Sequence, residues 1–320
     1  MSKINIYQAF VSELEKKIPK KTLLAKFISE ALFIEKESAY RRLRGDVQFS
    51  FSEVMCIAKK LNISVDQIME VVPMKSRPFY LKLTNFAEPE EIDYQMAEEY
   101  NNVLKDICME PMTEIGVSSK IIPDRFHIQH EHLRKFYLFK WIYLYGSRDQ
   151  LKNYKNSKTS DRMIHILEEM YYLYEQIKFT YYIFDKSLFK DFIEDIAYFK
   201  NIELIDYEEV VSLKEELLSV TEHIERLALD GVNEYGNRVD FYISNVSFET
   251  GITCLDSSKY TLTFLRTFSV HDIASLDAFT LQQAKIWLQS LKRTSTKISE
   301  SGEIERKKFF NEQRRIIETL

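Results

Sequence analysis

Glycine is the residue this chain nearly does without. Seven occur in 320 positions, roughly 2% against an ordinary ~7%, and prolines number only six. Tyrosine and phenylalanine stand at 19 and 22. Tight turns, phosphate cradles and left-handed caps all draw on glycine. A chain this poor in it predicts long helices with few tight turns, and argues against sandwiches, propellers and doubly wound folds. The expected fold class is mainly α. It comprises an N-terminal five-helix domain and a larger helical domain holding one small antiparallel β-meander.

Charge divides the chain. The net value is −5, yet residues 1–72 hold 12 Lys/Arg against 9 Asp/Glu, residues 73–284 hold 23 against 35, and residues 285–320 hold 9 against 5. A basic head on an acidic body predicts separate tasks for the two parts. Three scattered cysteines, Cys56, Cys108 and Cys254, form no CxxC pair, a reduced pattern with no disulfide framework. The opening MSKINIYQAFVSELEKK lacks the apolar stretch of a secretion signal, and no segment offers the ~20 apolar residues of a membrane span. A cytoplasmic protein without membrane contact is expected.

The head reads as helices in close succession. Tyr7, Phe10, Val11, Leu14 and Ile18 keep helical spacing up to Pro19; Thr22 is placed to cap a second helix carrying Leu24, Ala25, Ile28 and Leu32. A third helix, Lys36–Arg44, is stopped by Gly45, and Ser50 with Glu53 forms a capping box for a fourth. Ser64 with Gln67 opens a fifth that ends at Pro73. Domain boundaries follow at 1–72 and 79–320, with PMKSRP (73–78) as linker. Beyond it, an extended segment is expected at Phe79–Phe86. Helices are expected near 89–109, 125–145, 160–182, 186–200, 206–230, 278–293 and 302–318. The β-rich island falls at about 240–269, with strands Asp240–Phe248, Ile252–Leu255 and Tyr260–Ser269.

The segment ISEALFIEKESAYRRLRGD (Ile28–Asp46), followed by FSFSEVMCIAKKLNISVDQIM (Phe49–Met69), resembles lambda-repressor-like (XRE-type) helix-turn-helix domains. IAKKLNISVDQI matches the last part of that pattern closely. The resemblance covers residues 5–72 and implies that Lys36–Arg44 is a recognition helix entering the major groove of double-stranded DNA. Ala39 and Leu43, spaced i,i+4, are its inner candidates. Lys36, Glu37, Ser38, Tyr40, Arg41, Arg42 and Arg44 are then the DNA-binding residues. Arg41 or Arg42 suits a guanine edge, while Lys36 and Arg44 suit phosphates. The family usually places an apolar residue three before the glycine; here that place is Arg42. A second stretch, VSSKIIPDRFHIQHEHLRKFYLFKWIYLYG (Val117–Gly146), resembles the middle of bacterial regulators, chiefly of Bacteroidetes type, that join such a head to a long helical domain. That likeness implies a transcriptional regulator, and a net charge of only +3 on the head implies a homodimer on two half-sites.

Other chemistry finds little support. His127, His130 and His132 beside Asp124 and Glu131 lack a fourth ligand at a motif spacing, so no metal is expected. Gly231 and Gly236 have P-loop spacing but lead into Asn237-Arg238, and no GxSxG or GxGxxG occurs. No cofactor and no catalytic residue is assigned, since carboxylates such as Glu194 and Asp195 have no partner pattern. The aromatic run Tyr171, Tyr174, Ile177, Tyr181 and Phe184 reads as one helical face packed in the core. The basic C-terminal residues Arg306, Lys307, Lys308, Arg314 and Arg315 read as a solvated face. The rival function is a protein-interaction adaptor or antitoxin-like module on the same helix-turn-helix fold.

Overall fold

Apolar residues at three- and four-residue spacing organise the head of the protein into helices. The computed structural model describes residues 6–61, 63, 89–145, 154–267, 271–275 and 278–320. The chain divides into two compact units, Met1–Pro78 and Phe79–Leu320. In the first, α1 (Ile6–Lys17), α2 (Lys21–Leu32), α3 (Lys36–Arg44) and α4 (Phe51–Leu61) bury Phe10, Leu14, Leu24, Ile28, Ala39 and Ile57 in one core. Gly45 stands at φ +83° just past α3, the left-handed conformation that costs glycine least. Ser50 and Glu53 cap α4 reciprocally, with Ser50 N–H donating to Glu53 Oε2 at 2.8 Å and Glu53 N–H to Ser50 Oγ at 3.3 Å. Thr22 does not cap α2. Lys20 takes the cap position and makes no side-chain bond there. The expected fifth helix, the linker 73–78 and the extended segment 79–86 lie outside the described residues.

In the second unit the expected helical body with a small antiparallel meander is overturned by a seven-stranded mixed sheet. Its strands are β1 (Glu114–Ser119), β2 (Phe179–Phe184), β3 (Arg238–Ser244), β4 (Ile252–Asp256), β5 (Thr261–Thr267), β6 (His271–Ser275) and β7 (Ser295–Lys297), in the order β6-β5-β4-β1-β2-β3-β7. The adjacent strands β1, β2 and β3 are parallel, with Gly116, Tyr181 and Asp240 in register across them. All other pairs are antiparallel. β3 and β4, two strands of the supposed meander, are not neighbours.

The helices are α5 (Glu91–Ile107), α6 (Asp124–His127), α7 (Glu131–Tyr145), α8 (Asp161–Glu175), α9 (Lys190–Asn201), α10 (Tyr207–Asp230), α11 (Ala278–Arg293) and α12 (Glu303–Glu318). The predicted helix 160–182 therefore ends at Glu175, and its remainder is strand β2. The predicted helix 125–145 is two helices broken at 128–130. Val117, Tyr182, Phe184 and Phe241 point into a core shared with α5 to α10 and α12. Tyr181, Ile183, Tyr242 and Cys254 point the other way, against Leu281, Ala284, Leu288 and Leu291 of α11. The helices linking the parallel strands thus all pack on one face, so the sheet is layered without being doubly wound. Gly116 lies inside β1. A Cβ there would stand 2.3 Å from the Tyr181 ring, so the glycine makes room for that ring.

Candidate nucleic-acid interface

The candidate site is α3, and its geometry follows from which side chains its neighbours claim. Ala39 is fully buried and Leu43 packs partly against the same core, as their spacing requires. Tyr40 also lies partly against the core, and Ser38 is half-buried. At 100° per residue Glu37, Arg41 and Arg44 fall on the opposite side, and all three are exposed, as is Lys36 in the first turn. All seven predicted residues are therefore on the helix, but they are not equivalent.

Arg42 is drawn inward. Its Nη2 donates to Glu53 Oε1 at 2.8 Å and its Nε to Glu53 Oε2 at 3.3 Å, with both side chains about four-fifths buried. The Tyr7 hydroxyl, from α1, is shared between the carbonyls of Arg42 and Val47. Burial raises the Tyr7 pKa and keeps it a donor. Burial alone would raise the Glu53 carboxyl, but the Arg42 hydrogen bond and the Ser50 amide hold it below its ordinary value. Arg44 shares its charge with Asp46 at 2.9 Å and Glu37 at 3.2 Å. Among the described residues, the side chains of Lys36 and Arg41 have no ion-pair or hydrogen-bond partner.

Sequence reasoning missed Glu53 and Tyr7 as parts of this site. Glu53 was visible as a helix cap, and the same carboxylate also holds Arg42. Phe33 was equally hidden: it takes the left-handed conformation at φ +54° in the turn between α2 and α3, with its ring 93% exposed.

The second unit brings its own charged groups together inside the fold. Arg125 bonds Glu175 Oε1 through Nε at 2.9 Å and Nη2 at 2.6 Å, and Tyr182 Oη at 2.9 Å, with both charges almost wholly buried. His127 stacks on Tyr137 at 4.0 Å, and burial pushes its pKa down to about 4. Asp195 pairs with Lys140, and Glu194 lies 3.7 Å from Lys190. Of the basic C-terminal residues, Arg306 is buried on the Ile298 carbonyl, while Lys307, Arg314 and Arg315 pair with Glu303, Glu225 and Glu312. Among the described residues, no His, Cys, Asp or Glu group could hold a metal ion, and no helix is long and apolar enough to cross a membrane. No protein-family model, curated protein or solved structure matches this chain.

Proposed function

We propose that the chain is a sequence-specific DNA-binding regulator whose α3 enters the major groove. The observation that carries this reading is the outward face of α3, where Lys36 and Arg41 stand exposed with no partner among the described residues. A helix that packs by Ala39 and Leu43 and presents basic groups on its far side suits phosphates and base edges together. The acidic second unit would serve dimerisation or effector sensing, with a dimer fixing the spacing of two copies of α3. One experiment tests the proposal. Selection of duplexes from random DNA by the full chain should enrich one short sequence, repeated at a fixed spacing where a dimer binds. No enrichment above the starting pool would overturn it.

One observation favours a second reading, a protein-contact module. Phe33 is 93% exposed and Phe51 78% exposed, an apolar display with no need of phosphate. DNA binding whose salt dependence amounts to fewer than about two phosphates would favour this alternative.

A further inference from the structure

We infer that Arg42 is a positioning residue and Arg41 the base-reading arginine of α3, a division of labour that rests on the DNA-binding reading above. The two arginines are adjacent in sequence and alike in chemistry, so only their surroundings separate them. The Arg42 guanidinium faces the Glu53 carboxylate with two of its nitrogens on two different oxygens, at 2.8 and 3.3 Å, and a third nitrogen lies 3.4 Å from the Ser38 carbonyl. Reaching a base edge would require Arg42 to break a fork that is about four-fifths buried, leaving Glu53 charged and unpaired.

Glu53 is itself held a second time, because its Oε2 also caps α4 by accepting from the Ser50 amide at 2.8 Å. The fork therefore ties α3 to the first turn of α4. Tyr7 holds the other side of the same residue, its hydroxyl lying on the Arg42 carbonyl. Together these contacts fix the roll of α3 about its axis. The roll determines which side chain points outward at the middle of the helix, and that side chain is Arg41. Its guanidinium is free to present two donors to the O6 and N7 of one guanine.

The test uses the full chain and the duplex that wild type enriches. Arg41→Ala should lose preference for one guanine, with operator affinity down roughly tenfold to hundredfold, and an unchanged melting curve. Arg42→Leu, which fills the seam with an apolar side chain, should select the same sequence with the same salt slope. Glu53→Gln keeps the cap, since glutamine serves in a capping box, but loosens Arg42. It should weaken operator affinity severalfold with base preference and salt slope unchanged. In the Arg42→Leu background the same substitution should cost nothing further, a non-additivity expected only if Glu53 acts through Arg42. Should Arg42→Leu fail to fold, Arg42→Met and Glu53→Gln alone carry the comparison. A changed base preference in an Arg42 variant, or a salt slope lower by about one, would overturn the division. So would an Arg41→Ala variant that keeps the full preference. A wild type that enriches no sequence would remove the DNA-binding reading itself, and this inference with it.

Discussion

His127 shows what burial does to a single side chain. Its ring is stacked on Tyr137, 5% exposed, and 3.7 Å from the Asp124 carboxylate. Burial outweighs that neighbouring charge, so the imidazole stays neutral in the fold, with a pKa of about 4. In the unfolded chain it titrates near 6.5. Between these values the unfolded state binds more protons, so stability is full above about pH 6.5 and declines as pH falls toward 4. At 1.36 kcal/mol per unit this costs at most roughly 3 kcal/mol. His130 and His223, also lowered by burial, act in the same direction. The prediction is that His127→Phe, which keeps the stacked ring, flattens the acid arm of a urea-unfolding series between pH 7 and 4.5. An unchanged arm would place the acid sensitivity elsewhere.

At the scale of elements, α6, α8 and β2 meet through one ion pair. Arg125 from α6 reaches Glu175 at the end of α8 and Tyr182 on β2, while the Asn233 amide donates to Glu175 Oε2 at 2.8 Å. Breaking a buried pair strands its partner charge, at about 3–5 kcal/mol. Glu175→Ala should therefore lower second-unit stability by that order in thermal or denaturant unfolding; a loss below about 1 kcal/mol would show that water reaches Arg125. Element boundaries also show what was legible in the sequence. α3 ends at Gly45 and α4 begins after Ser50, because caps are local chemistry written in single residues. The strands of the 240–269 island were legible, but the mixed sheet they join was not. Tyr171, Tyr174, Ile177, Tyr181 and Phe184 keep helical spacing across the end of α8 into β2, and a strand buried on both faces shows no alternation to contradict it. β1, with Gly116, Ser118 and Ser119, looks like a loop until the Tyr181 ring is seen to occupy the space above its glycine. In the candidate site the helix and the exposure of Lys36, Glu37, Arg41 and Arg44 were legible, whereas the partial burial of Ser38 and Tyr40 and the inward turn of Arg42 onto Glu53 were not, since nothing local couples two side chains eleven residues apart.

The whole molecule joins two units of opposite charge. The basic head is built on its own small core. In the second unit, most of the basic side chains of α12 are paired with carboxylates or buried. On α3 the Lys36 and Arg41 side chains stand exposed without an ion-pair partner among the described residues. The most direct test is the salt dependence of duplex binding by the full chain, wild type against the double variant Lys36→Ala, Arg41→Ala. Both side chains are exposed, so folding should be unaffected. Wild-type affinity should decline steeply with salt, and the variant should bind more weakly with a slope lower by about one or more phosphate contacts. Superimposable isotherms for the two proteins would contradict this expectation.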